Sequence, residues 1–184
     1  MARLLPAILA LVLSAGSTLF TTGCGGGLSQ QMENQKDPET SLIVGHIDMK
    51  DGPCWLHWFS MKQVMPKVEK PYYNFRIDEG TFYAEYIPLG SFQLSEFGGA
   101  GSWPSNTLYT FRFPQQLEGL RLEKPGIYYI GSFKMTDEGN FFKSKYDIEL
   151  AKTPSEREAL EKILPHAKGT DWEERLRRRL EELK

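Results

Sequence analysis

The sequence predicts an all-β chain, an antiparallel β-sandwich of about seven or eight strands followed by two short C-terminal α-helices. Three observations carry this expectation. Eight Tyr, eleven Phe and four Trp sit with Val, Ile and Thr in short runs between Gly and Pro, which is the composition of strands and turns. Several of those runs alternate apolar and polar side chains with period two. From Thr153 onward the period becomes helical, and two N-terminal capping patterns appear.

The chain opens with Met1-Ala2-Arg3, a minimal positive segment, and an apolar run over residues 4–13 broken only by Pro6. That run is short for a membrane span and suits the core of a signal peptide. It leads to Thr21-Thr22-Gly23-Cys24. Small side chains at 22 and 23 give a peptidase access to the bond before Cys24, whose thiol is the only group there able to take a thioether-linked lipid. The pattern resembles the bacterial lipobox, with Thr21 where Leu is usual. The resemblance implies a lipoprotein in which residues 1–23 are a cleaved signal and Cys24 is lipidated, with membrane lipid as its partner. An ordinary secretory signal cut near Ala15 or Gly16, leaving Cys24 a free thiol, is the competing reading. Gly25 stands where Asp commonly causes inner-membrane retention. The same resemblance therefore implies a cell-envelope location on the outer membrane, facing the periplasm or the cell surface, in a Gram-negative source.

Removing residues 1–23 from the 184 leaves 161, enough for one domain with a proper core. Loss of Arg3 moves the formal net charge from −2 to near −3. This balance argues against nucleic acid as a partner, which would call for a basic face that releases counterions. Residues 25–40 (GGGLSQQMENQKDPET) carry no hydrophobic period and read as a flexible linker spanning roughly 20–25 Å. The sandwich is expected over 41–151 and a helical extension over 152–184.

Residues 41–48 (SLIVGHID) are apolar on both parities, a strand ending in the Lys50-Asp51-Gly52-Pro53 turn. Residues 54–61 (CWLHWFSM) follow as a second strand. Residues 72–77 alternate, with Tyr73, Phe75 and Ile77 on one side. The loop Asp78-Glu79-Gly80 leads to a strand over 81–87 with Phe82, Ala84 and Tyr86 inward, and Pro88-Leu89-Gly90 turns into another over 91–97. Residues 107–113 alternate again, and 117–122 add a short strand. Residues 127–135 are apolar on both parities, as in a central strand covered on two faces. Asp137-Glu138-Gly139-Asn140 then turns into a last strand over 141–150, with Phe142, Tyr146, Ile148 and Leu150 inward.

Thr153-Pro154-Ser155-Glu156 offers an N-cap hydroxyl, Pro at the first helical position and a Glu to reach back, so a helix should run to about Leu164 and stop at Pro165. Thr170-Asp171-Trp172-Glu173 repeats the pattern and starts a second helix. Its Trp172, Leu176, Leu180 and Leu183 form one apolar stripe, so this helix should pack on something.

The segment DEGTFYAEYIPLGSFQLSEF, residues 78–97, resembles transthyretin-like (prealbumin-like) sandwich modules, including carboxypeptidase regulatory-like domains. In these, a Gly turn, an aromatic strand, a Pro-x-Gly turn and a closing strand follow in that order. Lys124-Pro125-Gly126-Ile127-Tyr128-Tyr129-Ile130-Gly131 is similar to a strand of bacterial lipoproteins that carry such modules. The resemblance implies a non-catalytic role in adhesion, assembly or ligand presentation.

Motifs of catalysis are absent: no Lys-Ser/Thr follows Gly98-Gly99-Ala100-Gly101, and there is no Gly-x-Ser-x-Gly, His-Glu-x-x-His, Ser-x-x-Lys or Cys-x-x-Cys. If the first two strands paired, His46, Asp48 and His57 would approach one another as a zinc or copper site; the alternative is separate surface histidines. Asp78, Glu79, Glu85 and Glu96 are either an acid/base pair of a hydrolase or the solvated face of a sheet. Cys54 reads as a small buried apolar residue, the alternative being an exposed thiol open to an intermolecular disulfide. Trp103, on a Gly- and Pro-flanked loop, and Trp172 are the candidate partner contacts, Trp103 being alternatively a plug over the end of the sandwich. Arg175, Arg177, Arg178 and Arg179 face either anionic lipid or lipopolysaccharide, or their own interleaved Glu residues in a solvated, self-paired face. The chain is thus expected to be a cofactor-free, non-catalytic envelope module that binds an envelope protein or polysaccharide. A structural component docked by its C-terminal helices and a periplasmic hydrolase or metal-binding protein are the alternatives.

Overall fold

The computed structural model describes residues 30–101, 107–113, 119–139 and 145–184. The first sheet has the strand order β10-β9-β1-β5-β4: β1 (Ser41–Asp48) lies at its centre, β5 (Thr81–Ile87) and β4 (Arg76–Asp78) on one side, β9 (Ile127–Asp137) and β10 (Tyr146–Ala151) on the other. The second sheet runs β3 (Tyr72–Asn74), β2 (Trp58–Met65), β6 (Gly90–Ala100), β7 (Leu108–Arg112). A further strand, β8 (Gly119–Leu122), pairs with the first half of β6 beside β7. The chain is mostly β, in two facing sheets, with two short helices.

Both parities of β1 are apolar because both its faces are covered. Ile43 and Ile47 enter the core between the sheets, while Leu42 and Val44 lie beneath the helices. Gly45 interrupts the run for a steric reason: a Cβ there would stand 2.4 Å from Cζ of Phe82. That Phe82 ring is the centre of the first core, stacked on Phe59 of β2 at 4.0 Å, with Phe75 edge-on to Phe59 at 4.7 Å.

The expectation of a wholly antiparallel sandwich needs correction, since β9 runs parallel to β1. The whole second sheet is built between these two strands, and so long a connection lets the chain return in the same direction. The second strand also begins later than expected. Cys54 makes only an isolated bridge to Gly101, and the ladder starts at Trp58. Residues 72–77 form two strands rather than one. Tyr73 pairs with Met61 in the second sheet and Ile77 with Phe82 in the first, so the chain changes sheets at the buried Phe75. Tyr86 departs from its expected inward parity: its φ of 60° turns the ring to the helix side and Ile87 takes the core position. Phe142 lies outside the described residues, and Leu150 is exposed on the edge strand β10.

A second core lies on the outer face of the first sheet. There α1 (Glu156–Ile163), a 3-10 turn (Leu164–Ala167) and α2 (Asp171–Glu182) cover Leu42, Val44 and Tyr83. The N-cap of α1 is Ser155, not Thr153, with Glu158 closing the capping box. The hydroxyls of Tyr129 and Ser132 donate to the carbonyl of Pro154, which holds Pro154 outside the helix. At α2, Thr170 accepts from the amide of Trp172, and Glu173 reaches back to Gly169 rather than to the cap.

Residues 30–40, expected as part of a flexible linker, are packed against this second core. Met32 is 3% exposed within it. The Tyr83 hydroxyl donates to the carbonyl of Gln30, the Gln35 amide donates to the Tyr86 hydroxyl at 2.7 Å, and Arg175 donates to the carbonyl of Thr40 at 3.0 Å. An apolar anchor in a polar run, with tyrosines to satisfy the backbone around it, is enough to fix the segment.

Candidate binding face

Of the residues the sequence singles out, Cys24 and Trp103 lie outside the described residues. Trp172 is wholly buried under Arg175 and beside Tyr86, so it fastens α2 to its own sheet and is closed to a separate partner. The apolar stripe of Trp172, Leu176 and Leu180 is used the same way.

His46, Asp48 and His57 are not assembled into a site, because β1 and β2 belong to different sheets. The Nδ1 atom of His46 lies 3.1 Å from the Thr81 hydroxyl, and burial, then the nearby Lys162, holds its pKa below the ordinary value. Asp48 accepts from the amide of Lys50, and Nδ1 of His57 accepts from the amide of Ala100. Among the described residues, no three metal-ligating side chains converge.

The four carboxylates each meet a basic side chain: Asp78 pairs with His166, Glu79 with Lys162, Glu85 with Arg76 and Glu96 with Arg112. They are distributed over both sheets: Asp78 on β4, Glu85 on β5 and Glu96 on β6, with Glu79 in the turn after β4. Cys54 is buried, as expected, and burial pushes its thiol pKa up.

With the first sheet covered by the helices and by residues 30–40, the outer face of the second sheet is the sandwich's other broad surface. Phe59 and Met61 point into the core, so alternation along β2 places Trp58, Ser60 and Lys62 outward. The register sets Asn74 beside Ser60 and Tyr72 beside Lys62. Gln93, opposite Lys62 on the other side, completes the row.

Two aromatic rings frame this polar patch. The Trp58 indole lies over Gly98, where a Cβ would stand 3.1 Å from its Cζ2 and 2.0 Å from the carbonyl oxygen of Tyr109. Only glycine leaves room there for the ring and for β7 together. Tyr72 is 58% exposed, with the Lys62 ammonium 5.8 Å from its ring centroid. Four residues of strand, about 13 Å, separate Trp58 from Lys62.

Sequence reasoning did not find this face. Trp58 is present in the run CWLHWFSM, but a strand starting at Cys54 does not fix which of its aromatics points outward. Tyr72 and Asn74 join Trp58 only through the pairing of β3 with β2. Trp55, 67% exposed ahead of β2, likewise carries nothing in the sequence that sets it apart from a strand residue. No protein-family model, curated protein or solved structure matches this chain.

Proposed function

We propose that this chain is a lipid-anchored, non-catalytic envelope lipoprotein, a transthyretin-like sandwich that presents the outer face of its second sheet to an envelope polysaccharide. The observation that carries the reading is the row Trp58, Ser60, Lys62, Tyr72, Asn74 and Gln93. Rings that stack on the apolar faces of sugars alternate there with hydroxyl, amide and ammonium groups that bond their hydroxyls. The Asp78–Gly80 turn, the strand after it and the Pro88 turn into the opposite sheet support the transthyretin-like part.

Anchorage fits the same geometry. Gln30, the first described residue, lies on the helix side, and a lipid six positions earlier, at Cys24, can stand at most about 20 Å from it. A lipid at Cys24 therefore holds the helix side near the membrane and turns the second sheet outward.

Co-sedimentation with purified envelope polysaccharide tests the binding role. Replacing Trp58 and Tyr72 by Ala should weaken binding at least about tenfold. Equal binding by the double variant would remove this face from the proposal. Turnover of the glycan, lost on replacing Glu85 or Glu96, would remove its non-catalytic character. A second reading, assembly with an envelope protein, is favoured by the exposed Val64 and Met65 at the end of β2 and Val68 in the loop after it, with Met65 56% exposed.

A further inference from the structure

The arginines of α2 fall into two groups that the sequence does not separate. Arg177 pairs with Glu173 at 2.8 Å, and Arg179 bridges Glu156 and Glu182 at 2.8 and 3.0 Å. Arg175 and Arg178, on the turn between, make no ion pair with any described residue, and the same holds for Lys124 and Lys36. Spacing of three residues puts Arg175 and Arg178 on one helix face. The turn before β9 brings Lys124 to that face from one side, and residues 36–38 bring Lys36 from the other.

The result is a continuous groove. One part, about 500 Å³, is lined by Lys124, Tyr128, Arg175, Arg178 and Arg179. The other, about 470 Å³, is lined by Lys36, Pro38, Asp171, Glu174, Arg175 and Arg178. Pro125, Arg175 and Arg178 border both parts. Of the acids nearby, Asp171 meets the Tyr86 hydroxyl and Glu182 is paired with Arg179, while Glu174 lines the groove and Asp37 lies close enough to act on Arg175.

Arg175 is held in place from beneath. Its guanidinium lies 3.8 Å over the Trp172 ring, one nitrogen donates to the Thr40 carbonyl, and Nη1 is buried without a hydrogen-bond partner among the described residues. A guanidinium so fixed, with an arginine and two lysines converging on the same groove, is matched by a group that carries several acceptor oxygens and negative charge.

We infer that this groove binds the phosphate of an anionic lipid headgroup. The placement in the membrane rests on the anchored reading above, because Lys36 and Pro38 belong to the segment that leads back to Cys24. The phosphate chemistry does not depend on it. A lipid chain together with a cationic patch holds a protein to a membrane more firmly than one signal alone, and the patch also fixes which face lies down.

The test uses the full chain purified in a neutral detergent and titrated calorimetrically with short-chain phosphatidylglycerol, short-chain phosphatidylcholine and inorganic phosphate. Saturable binding of phosphatidylglycerol is expected, weakened about tenfold by the double variant Lys124→Glu/Arg178→Glu and unchanged by Arg177→Glu, whose side chain is paired off the groove. Equal binding of phosphatidylcholine, or an unaltered isotherm in the double variant, would overturn the assignment. Inorganic phosphate binding as tightly as the lipid would overturn the headgroup as its source. All these substitutions are at exposed positions, and matching thermal melts exclude loss of fold. The mass of the Cys24 peptide is a separate readout: an unmodified cysteine would sink the anchored reading and leave these isotherms untouched.

Discussion

The amide of Met32 donates to the carbonyl of His166 at 2.9 Å, joining the segment ahead of the first strand to the turn between the two helices. The Met32 side chain follows its backbone into the second core among Tyr83, Leu160 and Trp172. Met32→Ala should therefore cost about 2 kcal/mol of unfolding free energy. Urea denaturation measures the loss, and limited proteolysis should show residues 30–40 becoming cleavable. A variant as stable and as protected as the wild type would mean the segment is not held by this side chain.

Gly98→Ala places a methyl group 2.0 Å from the Tyr109 carbonyl oxygen and against the Trp58 ring. The pairing of β6 with β7 must open, at a cost of about 2 kcal/mol. Thermal melts should show the destabilisation, accompanied by weakened glycan binding as the indole is lifted. Wild-type stability would show that β7 adjusts freely.

Burial raises the pKa of the Cys54 thiol, with a weaker opposing contribution from the Gly99 backbone. The reactive thiolate is correspondingly scarce. Iodoacetamide at pH 8 should leave Cys54 unmodified in the native protein and alkylate it promptly in denaturant. Rapid native labelling would contradict its placement.

His46 has a folded-state pKa lowered first by desolvation and then by Lys162, with Asp48 opposing. Below the ordinary value of 6.5 the unfolded chain takes up this proton before the native protein does. The contribution of His46 to stability is thus full above that pH and is lost as pH falls from 6.5 towards the lower native pKa. Replacing His46 by Gln should flatten the stability profile in that window, measured by urea titration at successive pH values. Superimposable slopes would exclude His46 as a source of acid sensitivity.

Ser155 accepts from the amide of Glu158 while Glu158 accepts from the amide of Ser155. Ser155→Ala removes one half of this reciprocal cap and should lower stability by about 1 kcal/mol. Thr153→Ala, at the position the sequence pattern points to, should change little. The opposite ranking in chemical denaturation would place the cap where the sequence alone puts it.

Local chemistry made much of the fold legible. Period-two alternation located β5 and β7, apolar residues on both parities marked β1 as a strand and β9 as one covered on two faces, and the stripe of Trp172, Leu176 and Leu180 foretold that α2 packs. What escaped depends on contacts between distant residues. Nothing around Phe75 announces that Tyr73 and Ile77 enter different sheets, because alternation is unbroken across the bend. The parallel pairing of β1 with β9 likewise has no local signature. Residues 30–40 read as a linker since their partners, Tyr83, Tyr86 and His166, lie 51 to 134 positions away. The candidate face and the cationic groove were hidden for the same reason, each drawing its side chains from three separate elements.

The central position of β1 has a mechanical consequence. Tension applied through the N-terminus reaches residues 30–40 and then passes directly into β1, which is bonded to β5 on one edge and β9 on the other. Pulled along its own axis, a strand flanked on both sides does not peel bond by bond; its ladders share the load and must yield in shear. On the proposed anchorage ahead of Gln30 and binding on the second sheet, a pull between the two would load these ladders together while the core stays closed.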